Sequence, residues 1–234
     1  MTIVFDHKVD EAANISTFFF KPERTLRFTA GQFIELSLPH EHEDDRGHKR
    51  WFTISSSPTE ELISITTKFA SDKGSSYKNA LQNLKPNTEV KISEPLGDFV
   101  LPKLVQTPLV FIAGGIGITP FHSIFSWLAT TNETRPIKFI YGVRNEEEIV
   151  FQETMNRAGV APTIVVSQPS ESWGGETGNI TAEMIQGLEN ISEETLIYIS
   201  GPEPMVNALV KGLKAAGIPK QQLVMDGFSG YSEV

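Results

Sequence analysis

The feature that most limits the fold of this 234-residue chain is a change of hydrophobic period between Leu101 and Pro108. Upstream lie short β-branched and aromatic runs separated by turn residues: TIVFDHKV, ISTFFFK, GQFIELSLP, RWFTISSSP, ELISITTKF and EVKISEP. That spacing belongs to a small antiparallel barrel or sandwich. Downstream, β runs alternate with helical periods: LVFIAG, a helix from Thr119, IKFIYG, a helix over residues 147–157, TIVVS, then TLIYIS, a helix near 204–216 and QLVMD. Alternation of this kind builds βαβ units on a mostly parallel sheet. Pro102 and Pro108 bracket the connector, so the expected division is 1–102 and 103–234. The length suffices for two cores.

Helical stripes mark which faces are buried. Phe121, Ile124, Phe125 and Leu128 recur at i, i+3, i+4 and i+7, and Val206, Leu209, Val210 and Leu213 do the same. These stripes read as core. In the first half one helix is expected, 76–85, with Tyr77, Ala80, Leu81 and Leu84 near one face and Pro86 after it. Gly217 stands where a helix C-terminus needs a left-handed residue.

Composition excludes several chemistries. The chain has no cysteine, which rules out disulfides, zinc-thiolate sites and cysteine-ligated clusters within it. A net charge of -9 argues against nucleic acid or an anionic membrane as the main partner. The start of the sequence has no basic stretch followed by an apolar one, so a cytoplasmic location is expected. His40, His42 and His48 lie among acids in one loop. They read as a solvated hairpin tip and not as a metal site, because no framework converges them.

Four turns and the tail carry candidate chemistry. RWFTISSSP offers a cation, Arg50, a flat apolar ring, Phe52, and a hydroxyl, Thr53, on one strand. AGGIGITP follows a strand and opens a helix, with Thr119 suited to the N-cap and Pro120 to the first helical position. Glycines and a helix N-terminus allow close approach of a pyrophosphate, with tight packing as the alternative reading. Asp72-Lys73-Gly74-Ser75-Ser76-Tyr77 is a second turn of this type, which also reads as an ordinary serine N-cap. Ser200-Gly201-Pro202-Glu203-Pro204 ends a strand at the carboxyl edge of the expected sheet, where ligands bind in open α/β folds. The tail contains Asp226, Phe228 and Tyr231.

Taken in order, RWFTISSSP, ITTKFASDKGSSY, EPLGDF, AGGIGITP, YGVR, YISGPEPM and the aromatic tail resemble the ferredoxin-NADP reductase family in its compact, oxygenase-reductase-like form. The resemblance covers nearly the whole chain. It implies an FAD-binding β-barrel followed by a Rossmann-like domain for NADH or NADPH, with the active site between them. By resemblance Arg50 meets the FAD pyrophosphate, Phe52 packs on the isoalloxazine and Thr53 bonds near N5, with Trp51, Thr66 and Lys68 beside them. Gly74, Ser75 and Ser76 hold the pyrophosphate. Gly115, Gly117 and Thr119 meet the nicotinamide nucleotide, with Ser200, Gly201 and Pro202 opposite. Thr53, Ser200 and Asp226 are the expected catalytic groups, and Phe228 and Tyr231 lie against the flavin. Phe52 stands where tyrosine is common, Ser200 where cysteine is common, and Glu94 where glycine is frequent.

The implied activity passes a hydride from nicotinamide to flavin and electrons onward. The acceptor is then a separate ferredoxin, flavodoxin or oxygenase component, or a small molecule. Arg144 is the candidate for a 2′-phosphate, but Ser167-Gln168 lacks the arginine of many NADPH-selective relatives, so the reading leans to NADH. The alternatives are an NAD(P)H:free-flavin reductase, a subunit that works only inside a larger complex, and a catalytically silent nucleotide sensor.

Overall fold

A computed structural model describes residues 1–69, 74–189 and 191–228. In the first half, β1 (Thr2–Ala12), β2 (Ile15–Pro22), β3 (Phe33–Ser37), β4 (Lys49–Thr53), β5 (Ile63–Lys68) and β6 (Glu89–Ile92) form one antiparallel sheet. Its strand order is β4-β3-β6-β1-β2-β5. Just past the edge strand β4, the Ser55 N–H donates to the Ser64 carbonyl in β5 at 2.8 Å, which draws the two edges together as a barrel. Alternation decides what fills it: Ile3 and Phe5 of β1 and Phe18 and Phe20 of β2 are buried, with Phe5 in ring contact with both phenylalanines. The helix α1 (Ser76–Gln82) is shorter than expected and buries Tyr77 and Leu81.

The second half is a parallel sheet of β7 (Leu109–Gly114), β8 (Ile137–Val143), β9 (Pro162–Val166), β10 (Glu176–Thr177), β11 (Leu196–Pro202) and β12 (Leu223–Phe228). The order is β10-β9-β8-β7-β11-β12. All six residues of β7 are buried, as a strand covered on both faces requires. On one face α2 (Thr119–Thr131) packs Phe121 and Phe125 against Phe111 and Phe139. On the other, α4 (Ala182–Gln186) and α5 (Glu203–Ala215) place Ile185, Val206, Leu209 and Leu213 against Val110, Ile112 and Ile140. The chain runs outward from β7 to β8 and β9, then returns to the other side of β7 as β11. A crevice therefore opens beyond the carboxyl ends of β7 and β11.

The two halves share a buried junction. Ile15, Ala30 and Phe99 belong to the same apolar cluster as α2, and the Tyr198 hydroxyl donates to the Val100 carbonyl at 2.7 Å. From α2, Ser123 Oγ donates to the Ser56 carbonyl at 2.6 Å, and His122 Nδ1 lies 2.7 Å from the Ser55 carbonyl. A carbonyl only accepts, so Nδ1 carries the proton, and Nε2 is left to accept from the Thr154 hydroxyl at 3.2 Å. Burial pushes the His122 pKa down to about 4, so the ring is neutral at pH 7.

The local expectations are met only in part. The helix expected over 147–157 is only α3 (Gln152–Arg157), because Phe151 adopts φ 64° and separates it from a short 3-10 turn at Glu146–Glu148. The short elements α4 and β10 had no period long enough to read. Gly217, with φ 91°, does end α5: its N–H donates to Lys214, and that of Ile218 to Leu213.

Candidate active site

The carboxyl edge of the parallel sheet faces the mouth of the barrel across one 3-10 turn, Gly115–Ile118, which leads directly into α2. Thr119 is therefore the first residue of the helix and not its N-cap. Its hydroxyl donates back to the Ile116 carbonyl at 3.1 Å, and Ile118 occupies the cap position without a side-chain bond. The two glycines of the turn differ in role. Gly115 holds φ 50° with open space where a Cβ would stand. At Gly117 a Cβ would lie 2.2 Å from the Ser200 carbonyl oxygen and 2.6 Å from Gly201 Cα, so this glycine lets the turn lie against the end of β11.

On the barrel side, a crevice of about 40 Å³ is lined by Trp51, Phe52, Thr53, Thr66, Thr67, Ile116, Thr119 and Phe228. Sequence reading had brought six of these eight together, and Thr67 and Ile116 are added by the fold. Thr53 is 4% exposed, and its Oγ1 has no hydrogen-bond partner. Ser200, fully buried across the 3-10 turn, also has an unpartnered Oγ. A buried hydroxyl without a partner carries a desolvation cost, so Thr53 in the crevice wall and Ser200 at the end of β11 are places where a polar ligand would be favoured. Behind Thr53, Thr66 is satisfied internally by Thr17 and Ser55 hydroxyls, both at 2.9 Å.

Several expected groups are held by the protein itself. Arg50 Nη1 donates to the Arg46, Gly47 and Lys49 carbonyls, and Nη2 to Asp44 Oδ1 at 3.1 Å, while Cζ stands 4.9 Å from the centre of the Tyr77 ring. Phe52 packs toward the same Tyr77, with ring centroids 6.0 Å apart. Trp51 points the other way, edge-on to Phe33 and 55% exposed. Ser75 caps α1 by accepting from the Lys78 N–H, and Ser76 Oγ is bonded to His40 Nε2 and to the Asp44 N–H. The Lys68 ammonium pairs with Glu148 at 2.6 Å. Gly74 precedes the cap, and Asp72, Lys73 and Tyr231 lie outside the described residues.

A second cavity, of about 540 Å³, opens on the other side of the sheet edge. Gly142 and Val143 of β8, Ser167, Gln168 and Gly178 to Ile180 form one wall, and Pro202, Met205, Ala208 and Leu209 the other. Its size and its mixed apolar and amide lining suit a nucleotide. Exposed Arg144 bonds through Nε to Gln168 Oε1 at 3.1 Å. At Gly201 a Cβ would lie 2.7 Å from Met205 Cε and 3.1 Å from Gly114 Cα, so glycine lets the end of β11 lie close against the end of β7. Asp226, beside Ser200 in the ladder, has its carboxyl pushed up to about 6 by burial. Two histidines of the 40–48 loop have protein partners: His40 bonds Leu38 and Ser76, and His48 bonds Glu43.

Known proteins are similar to this chain in sequence and fold. Residues 111–211 match the oxidoreductase NAD-binding domain. Flavohemoprotein A of Dictyostelium discoideum is 28% identical over 244 aligned positions, covering 99% of this chain and 61% of that protein. The glycine betaine monooxygenase reductase subunit of Chromohalobacter salexigens is also 28% identical, over 89% of this chain and 59% of its own. The chain thus spans about three fifths of the length of these curated relatives. Among solved structures, the flavohem-like FAD/NAD binding domain of nitric oxide dioxygenase from Vibrio cholerae superposes with TM-score 0.81 at 24% identity, covering 97% of this chain and 98% of that one. A ferredoxin NADP+ reductase from Neisseria gonorrhoeae with bound FAD and NADP gives 0.79 at 18%, with the same coverage. Residues 111–211 are thus similar to the oxidoreductase NAD-binding domain, within a chain whose two-sheet fold is that of the ferredoxin NADP+ reductase structure.

Proposed function

We propose that this chain is an NAD(P)H-dependent flavoprotein reductase, with FAD on residues 1–102 and the nicotinamide coenzyme on residues 103–234. The observation that carries this reading is the pair of buried, unpartnered hydroxyls, Thr53 Oγ1 and Ser200 Oγ, on either side of the turn at Gly115–Ile118. Bound FAD would supply hydride acceptance from nicotinamide and release of electrons singly or as a pair.

The chain's own residues position and tune. Thr53 offers a hydroxyl to the flavin edge, with the Thr66-Ser55-Ser64 hydroxyl chain fixing the strand behind it. Phe228 closes one wall of the crevice, whose present volume has room for a few waters and not for a tricyclic ring, so a flavin would fit there only if a wall residue such as Phe228 gave way. Ser200 and Gly201 meet the nicotinamide end, and the cavity between β8 and α5 takes the rest of the nucleotide. Asp226, with its raised pKa, can hold a proton near neutral pH beside Ser200. The coenzyme reading is NADH: Arg144 engages Gln168, and Gln168 brings no positive charge for a 2′-phosphate. The acceptor is a separate protein, such as a ferredoxin, a flavodoxin or an oxygenase component, or a small molecule. Among the described residues no helix is long and apolar enough to cross a membrane.

A second reading has its own observation. Arg50, Ser75 and Ser76 are satisfied within the protein, which favours a flavin that binds weakly and leaves, as in an NAD(P)H:free-flavin reductase. One experiment separates the two: a visible spectrum of the purified protein, then anaerobic addition of NADH and of NADPH. Co-purified flavin bands that bleach support the bound-FAD reductase. A colourless protein that oxidises NAD(P)H only with added flavin supports the second reading, and no oxidation under either condition overturns both.

A further inference from the structure

We propose that Lys68 and Glu148 form a positioning tie that sets the approach of the coenzyme half of the site to the flavin half. The inference rests on the reductase reading above. The ammonium and the carboxylate are 2.6 Å apart although 80 residues separate them in sequence, and Glu148 is 6% exposed.

Each partner has an anchored backbone. The Lys68 carbonyl ends β5, two residues beyond Thr66 in the crevice wall, and accepts from the Lys78 ammonium of α1. The Glu148 carbonyl accepts from the Tyr141 hydroxyl of β8 at 3.2 Å, and its N–H donates to Asn145. Between β8 and Glu148 runs the segment carrying Arg144. A short ion pair between two pinned backbones transmits position.

The pair is poorly built for stability. Glu148 Oε2 is buried with no partner, so the carboxylate is desolvated on both oxygens and bonded on one. A buried pair of this kind repays little of its desolvation, and an apolar pair of the same volume would serve folding as well. Its distinctive contribution is directional. Other polar contacts between the halves, His122 and Ser123 on Ser55 and Ser56 and Tyr198 on Val100, come from α2 and β11. They hold the residues after β4 and the connector, not the end of β5. The tie at Lys68 holds that end, and with it the crevice edge, against the coenzyme segment, where an error of about 1 Å costs on the order of 100-fold in rate.

The test is a double-mutant cycle on the purified holoprotein: Glu148→Gln, Lys68→Met and both together, with anaerobic stopped-flow reduction by NADH. The limiting reduction rate is read separately from the NADH concentration dependence. Each single variant is expected to lower the limiting rate about 10-fold, with flavin content unchanged and half-saturation within about 2-fold of wild type. The double variant is expected to be no slower than either single one, because the tie is lost only once. Lys68→Arg, which keeps the charge and reach, is expected to recover most of the rate. Wild-type rates in both single variants, additive losses in the double variant, or a loss confined to flavin content would each overturn the tie. Failure of the reductase reading shows up differently, as wild-type protein that NAD(P)H does not reduce. In that case hydrogen exchange at residues 148–151 decides the tie without cofactors: equal acceleration in both single variants supports it, and unchanged exchange overturns it.

Discussion

Replacing Gly117 by alanine tests the central contact of the site. The new methyl carbon would stand 2.2 Å from the Ser200 carbonyl oxygen, 2.5 Å from its carbon and 2.6 Å from Gly201 Cα. That is more than about 1 Å inside ordinary van der Waals contact, and every opposing atom is backbone in a buried strand. No side chain can swing away, so the turn and the end of β11 must separate by about 1 Å. Overpacking of this kind costs about 1–3 kcal/mol where side chains can yield, and the upper end applies here. Gly115→Ala is the matched control: its φ of 50° costs about 1–2 kcal/mol for a non-glycine residue, but its methyl meets nothing within 4 Å. With an m-value of about 3 kcal/mol/M in urea, Gly117→Ala should lower the unfolding midpoint by about 1 M and Gly115→Ala by about half that. Equilibrium urea unfolding followed by far-UV circular dichroism gives both numbers. Because Ser200 moves with the strand, reduction by NADH should also fall by up to about 100-fold in Gly117→Ala. A Gly117→Ala midpoint equal to wild type, or above that of Gly115→Ala, would refute the packing argument.

Two pH predictions follow from the buried titratable groups. The folded pKa of His122, at about 4, lies below its ordinary value, so the folded state disfavours the charged ring. Stability is complete above about pH 6.5 and falls as pH drops toward 4; His122→Gln should flatten that limb in melting temperatures recorded across the range, and an unchanged slope would show that another group is responsible. Asp226 has the opposite sign: its folded pKa is raised to about 6, so stability is complete below about pH 4 and is lost as pH rises through 6. Asp226→Asn should therefore raise the melting temperature at pH 7.5 by several degrees, at most about 3 kcal/mol of stability, and leave it unchanged at pH 4. An equal gain at both pH values would point to packing instead of charge.

The sequence alone determined the architecture, because architecture follows from period. The β-branched and aromatic runs ISTFFFK and ELISITTK, the fully apolar run LVFIAG and the i, i+3, i+4, i+7 stripe of α2 each favour one kind of element, and the two sheets follow. It also offered Ser200 and the glycine turn as candidates, since they stand at the carboxyl ends of strands, where open α/β folds place ligands. Which neighbour each group has was beyond its reach. Gly117 reads in sequence as room for a phosphate, and its partner is the backbone of Ser200, 83 positions later. Arg50 reads as a cation for a pyrophosphate and Lys68 as its neighbour in the cofactor site, yet both are bonded within the chain. The helix over 147–157 looks continuous in composition, but Phe151 turns left-handed where its ring stacks on His122 at 3.8 Å. Periodicity is a property of neighbours along the chain, so a single sequence displays it. Hydrogen-bond partners, desolvation and close backbone approach depend on residues brought together by folding, and only the tertiary structure decides them.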